Sequence, residues 1–101
     1  MVENVLAPEG FSREMSISMT EFERALRLAE TDRTITVTAG RFRVEGDGAV
    51  LDVSLTPLPD RVIGMIRLPA LAAHLRFLAG NGAERRTLLH RIDLAMRRGG
   101  R

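Results

Sequence analysis

The chain reads as an α+β domain. A single antiparallel sheet of five to six strands carries an N-terminal-half helix (19–30) and a C-terminal helix (83–98), both packed on one face. Three observations point there. Phe11 to Met19 alternates apolar and polar residues, the mark of a strand with one wet side. Two tight-turn signals, Ala39-Gly40 and Asp47-Gly48, separate further alternating segments. Apolar residues at helical spacing follow a start signal near each end of the domain.

Taken in order, residues 1–10 read as a flexible leader closed by Pro8 and Gly10. In the first strand Phe11, Met15, Ile17 and Met19 share a parity, with Arg13 as its exception. Ser18 and Glu21 fit a capping box for the first helix, whose stripe is Phe22, Ala25, Leu26 and Ala29. Glu23 and Arg27 make a favourable i, i+4 pair on its wet side.

Centring a hairpin on Ala39-Gly40 pairs Val37 with Phe42 and Ile35 with Val44. Centring the next on Asp47-Gly48 pairs Val44 with Leu51, Phe42 with Val53, and Arg43 with Asp52 on the other face. Both registers put the same apolar residues on one side, which predicts a three-stranded meander. Pro57-Leu58-Pro59-Asp60 then reads as a turn, because Pro59 blocks pairing. Arg61 to Leu68 reads as a strand apolar on both parities, which is either central and covered or an oligomer contact.

Leu71 to Phe77 carries two readings. Its alternation suits a strand, while Pro69 before it and Gly80 after it suit a short helix. Asn81 or Gly82 can cap the last helix, with Leu88, Leu89, Ile92, Ala95 and Met96 as its buried stripe. Arg86, His90, Asp93 and Arg97 form the opposite stripe, Asp93 and Arg97 pairing at i, i+4. Gly99 is the natural stop, and residues 99–101 fray. Residues 11–98 thus form one domain, as the 101-residue length also suggests.

Composition excludes more than it assigns. All fifteen basic side chains are arginine. Without Lys there is no Gly-Lys phosphate loop and no Schiff base. Without Cys there is no disulfide, thiolate metal site or thiol nucleophile. The longest apolar stretch, Leu68 to Ala73, is too short to span a bilayer, and the N-terminus lacks a secretory pattern, so a cytoplasmic protein is expected. The two histidines, His74 and His90, sit on polar stripes with no metal-ligand spacing. The Ser12, Ser16, Ser18 row reads as a wet strand face, and Glu45-Gly46-Asp47-Gly48 as a turn rather than a calcium loop. No catalytic, cofactor-binding or metal-ligating residue is assigned, and no cofactor is expected.

Arg67-Leu68-Pro69, Leu75-Arg76-Phe77 with Gly80, and the ending Arg91-Ile92-Asp93 to Arg97-Arg98-Gly99-Gly100 carry a resemblance. They are similar to stretches in a family of short uncharacterised bacterial proteins with a β-α-β(4–5)-α pattern and an Arg-Gly-Gly-like C-terminus. The family pattern has aromatics before that ending, where this chain has Met96 and Arg97. The resemblance spans residues 14–100 loosely, and implies a strand at Leu71 to Leu78 and no activity. The outline is similar to helix-grip and TATA-binding-protein-like folds, and an outline alone does not give function.

Charge is uneven. Residues 83–101 hold six arginines against two acids, while the rest holds nine against eleven. Two contact surfaces follow. Val62, Ile63, Met65 and Ile66 are the candidate oligomer contact of a homodimeric, non-catalytic interaction module. Arg85, Arg86, Arg91, Arg97 and Arg98 are the candidate contact for nucleic acid, an acidic protein or another anion. A third reading, a small-ligand carrier or enzyme, needs a cavity between sheet and helices.

Overall fold

Seven elements alternate with tight connections in the computed structural model, which describes residues 6–99. They are β1 (Phe11–Met15), α1 (Met19–Leu28), β2 (Arg33–Thr38), β3 (Arg41–Gly46), β4 (Ala49–Ile63), β5 (Ile66–Ala79) and α2 (Gly82–Gly99). One five-stranded antiparallel sheet runs β1-β5-β4-β3-β2, with β4 at its centre. The fold is α+β. Half of the expected leader, residues 1–5, lies outside the described residues, as do residues 100 and 101 of the expected frayed tail. Residues 6–10 hold a turn in which the Gly10 N–H donates to the Ala7 carbonyl at 3.1 Å.

One side of the sheet carries both helices. Phe42, Val44, Leu51, Val53, Leu71, Ala73, Leu75 and Phe77 meet Phe22, Ala25 and Leu26 of α1 and Leu88, Leu89, Ile92 and Met96 of α2 in a single core. Leu26, Val44, Leu51, Val53, Leu71 and Leu88 have no accessible surface, so the expected stripes are the buried ones.

Both helix starts carry side-chain caps, and that of α2 is the reciprocal capping box. The Glu21 N–H donates to Ser18 Oγ at 3.1 Å, and Ser18 Oγ donates to Glu21 Oε1 at 3.2 Å. At α2 the Glu84 N–H donates to Asn81 Oδ1 at 2.9 Å, and the Asn81 N–H donates to Glu84 Oε1 at 2.8 Å. Helix α1 stops at Leu28, two residues before the expected end, because Ala29 turns extended (ψ 138°) and its N–H closes onto Ala25 and Leu26.

The Asp47-Gly48 turn has positive φ at both central residues (54° and 83°), as a type I′ hairpin requires. The register beyond it is the expected one: Val44 faces Leu51, Phe42 faces Val53, and Arg43 faces Asp52. The β2–β3 register differs. Thr38 faces Arg41, a bulge follows, and Thr36 then faces Phe42 while Ile35 faces Arg43. The extra residue reverses the strand, so the threonines meet the apolar parity and Ile35 turns to the uncovered face.

Two further expectations are corrected. Pro57 to Asp60 is not a turn: β4 runs straight through it. Leu58 faces Ala70 and Arg61 faces Leu68, so Pro59 and Asp60 together oppose Pro69 in a bulge. Proline is tolerated there because a bulged residue need not donate to the ladder. Arg61 to Leu68 is accordingly not one strand but the ends of two, joined at Gly64-Met65, with Ile63 facing Ile66. Leu71 to Phe77 belongs to a strand, with Leu71, Ala73, Leu75 and Phe77 buried and His74 and Arg76 exposed.

Candidate functional site

The β4–β5 hairpin outgrows the sheet. On one flank β3 pairs no further than Arg41 with Ser54, and a last bond runs from the Leu55 N–H to the Gly40 carbonyl. On the other flank β1 pairs no further than Met15 with Leu71. Beyond those points β4 and β5 have only each other. The six residues from Leu58 to Ile63 make an arm roughly 20 Å long, and the molecule measures 45 × 26 × 24 Å.

The arm tip holds all four residues of the candidate oligomer contact. Val62, Ile63 and Ile66 are 59%, 63% and 60% exposed, and Met65 is wholly exposed. Gly64 has φ +60° and Met65 does not, the pattern of a II′ turn. Isolated exposed apolar residues such as Leu28 are ordinary. Four large ones at one hairpin tip are not: by register Ile63 and Ile66 share one face and Val62 lies on the other, with Met65 at the turn between them. Arg61 reaches Glu14 of β1 at 3.7 Å, but both side chains are at least half exposed, so this tether is weak. Pro59 and Pro69 take two N–H donors out of the arm and Pro57 one at its base, which blunts its edges against strand addition.

The five candidate arginines of α2 do not act as one ridge. Arg85 Nε donates to the Gly80 carbonyl at 2.7 Å, and its guanidinium lies over the Phe77 ring at 5.5 Å. Arg91 clamps the β3–β4 turn, with Nε 2.9 Å from Asp47 Oδ2 and Nη2 3.2 Å from Oδ1. That hydrogen bonding and the Asp47 charge raise the Arg91 pKa above the ordinary arginine value. A raised cation keeps its contribution below the unfolded pKa and loses it only as pH climbs through the folded one. For arginine that window is far into alkali, so this guanidinium adds no pH dependence near neutrality. Arg86 and Arg97 are exposed, and the Arg98 side chain lies outside the described residues. Asp93 turns from Arg97, its expected partner, to Arg13 of β1, at 2.6 and 3.2 Å. An acid on α2 thus explains the one charged residue on the apolar parity of β1.

His74 is held at both nitrogens. Nε2 lies 2.8 Å from the Glu9 carbonyl and Nδ1 lies 2.9 Å from Ser12 Oγ. A carbonyl only accepts, so Nε2 carries the proton and, in the neutral ring, Nδ1 accepts from the serine. The ring anchors the entry to β1 and leaves no nitrogen for a substrate. Between sheet and helices, a crevice lined by Arg13, Met15, Phe22, Ile92, Asp93 and Met96 measures about 10 Å³, room for one water at most.

The uncovered sheet face holds a cluster that the sequence only half announced. Asp52 is 6% exposed, yet it sits on the central strand away from the helices. Arg43 and Arg76 flank it by register, and Arg41 Nη2 donates to its Oδ2 at 3.2 Å. The Arg43–Asp52 pairing is implied by the Asp47-Gly48 hairpin. Arg76 joins only once Leu71 to Phe77 is a strand.

Among the described residues no helix is long and apolar enough to cross a membrane, and no three His, Asp or Glu side chains converge as a metal site. No protein-family model matches the chain, and a search of curated proteins finds no match.

Proposed function

We propose that this chain is a small non-catalytic interaction module that pairs with a second copy of itself through the β4–β5 arm. The apolar tip formed by Val62, Ile63, Met65 and Ile66 carries the reading. A second copy suits it better than an unrelated strand, for two reasons. The proline-blunted edges favour contact through side chains rather than by strand addition. An apolar patch is also self-complementary under a two-fold axis, with Asp60 of one arm able to meet Arg61 or Arg67 of the other.

Magnitudes set the strength. Given these exposures, covering each tip side chain contributes about 1–2 kcal/mol, so the eight in a pair contribute roughly 8–16 kcal/mol. Association costs about 4–15 kcal/mol. At their favourable ends the two leave a net of about 12 kcal/mol, and the reversible micromolar dimer proposed, at about 8 kcal/mol, lies in the upper part of that range, short of an obligate one. Sedimentation equilibrium on the wild type and on Ile63→Asp/Ile66→Asp tests this. The wild type should shift from monomer to dimer with concentration, and the variant should stay monomeric with its unfolding midpoint unchanged. A wild type that is monomeric at high micromolar concentration rejects the reading.

A further inference from the structure

Asp52 and its three arginines form the second unexplained surface, at a distance from the arm. Arg43, Asp52 and Arg76 face one another across β3, β4 and β5, about 4.8 Å from strand to strand. Arg41, two residues from Arg43 on the same side, bonds Asp52 Oδ2. Three guanidiniums against one carboxylate leave a local surplus of positive charge. Two atoms in this row are buried and unsatisfied: Asp52 Oδ1 has no donor and Arg43 Nε has no acceptor. Native proteins rarely leave such atoms empty-handed, and an orphan donor beside an orphan acceptor asks for one group that satisfies both.

We propose that this row binds a hydrogen-phosphate head group, either inorganic phosphate or a phosphate monoester. The chemistry selects it. The ligand must offer a hydroxyl to Asp52 Oδ1, an oxygen to Arg43 Nε, and negative charge to the guanidiniums. A monohydrogen phosphate carries all three on one tetrahedral centre: inorganic hydrogen phosphate at neutral pH, or a monoester as its monoanion, below a second pKa of about 6. Sulfate and phosphodiesters have the charge but no hydroxyl. Ionised carboxylates also lack it. Water bridges the two atoms but leaves the charge unanswered. Both atoms are buried, so ligand entry requires side chains of the row to rearrange. No phenylalanine lies on this face to stack a base: Phe22, Phe42 and Phe77 are in the core, and Phe11 packs against it, while the His74 ring is held by Glu9 and Ser12. The head group is therefore the recognised part.

The test is an NMR titration of the full chain that follows backbone amides and arginine Nε–Hε signals at constant ionic strength. Inorganic phosphate and methyl phosphate are the ligands; sulfate and dimethyl phosphate are the controls. The Arg43 Nε–Hε signal should move saturably with phosphate and about tenfold less avidly with sulfate. Whichever of the two phosphates binds tighter identifies the source. Asp52→Asn, whose amide can turn a donor toward sulfate, should erase the preference. Arg76 is exposed, so Arg76→Gln should fold normally and weaken phosphate about tenfold. Arg86→Gln on α2 should change nothing. Equal responses to phosphate and sulfate in the wild type overturn the proposal, as does an Arg43 signal that stays still. A loss on Arg86→Gln matching that on Arg76→Gln overturns it too.

Discussion

Arg13 shows how one side chain can be misplaced by pattern and explained by its partner. On β1 it shares the parity of Phe11 and Met15, which turns it toward the helices. Its bidentate bond to Asp93 fixes the edge strand to α2 across most of the chain's length. The two side chains are 21% and 29% exposed, between a surface pair and a buried one. Asp93→Ala removes the bidentate partner of a largely buried guanidinium and should cost about 1–2 kcal/mol of unfolding free energy in urea. Glu23→Ala breaks the Arg27 pair, in which both partners are more than 40% exposed. It should stay within about 0.5 kcal/mol. Equal losses for the two would mean that burial does not set the strength of ion pairs here. Spacing within a helix offered Asp93 to Arg97; only the fold offers it Arg13, because no local pattern connects residues 13 and 93.

At the scale of elements, the legible signals were those whose physics is local. Both helix starts, the Asp47-Gly48 turn and the buried stripes follow from neighbours within a few residues, and all are present. The misread elements depend on an extra residue. One bulge between Thr36 and Thr38 turns Ile35 outward, and another at Pro59 and Asp60 lets β4 continue where a turn was expected. A bulge leaves no local mark, since its stabilisation comes from strands that the sequence places elsewhere. Pro59 rules out a ladder bond, and a bulge is one of the places in a sheet where such a residue is tolerated. The candidate surfaces divide the same way: Val62 to Ile66 was visible as an apolar run, whereas the Arg43–Asp52–Arg76 row needs β5 in register. The α2 cap gives the test at this scale. Asn81→Ala removes the acceptor for the Glu84 N–H and keeps the backbone N–H that donates to Glu84 Oε1. Losing that one cap bond should cost about 1 kcal/mol in chemical denaturation. Ser18→Ala should cost a similar amount at α1, and the double variant should show their sum, the two caps sharing no partner. A sum that falls well short would mean the helices support one another at their starts.

The whole molecule combines one local meander with one distant closure. β2 through β5 pair with their neighbours in sequence, across short turns. β1 alone pairs far away, Met15 meeting Leu71 and Phe11 meeting Leu75. Closing the span between residues 15 and 71 costs loop entropy that no turn in the meander has to meet. That cost is recovered only after β5 is in place to receive the strand. The order of events follows: the β3–β4–β5 hairpins form in the transition state, and β1 docks after it, with the Arg13–Asp93 bond among the last contacts made. Stopped-flow kinetics on two core truncations distinguishes this route from simultaneous assembly. Val44→Ala, in the β3–β4 hairpin, should mainly slow folding, with a φ value above about 0.5. Met15→Ala, on β1, should leave the folding rate nearly unchanged and speed unfolding instead, with a φ value of about 0–0.3. If Met15→Ala slows folding as much as Val44→Ala does, the edge strand is part of the nucleus. The entropy of its long loop would then have been met before the meander was complete.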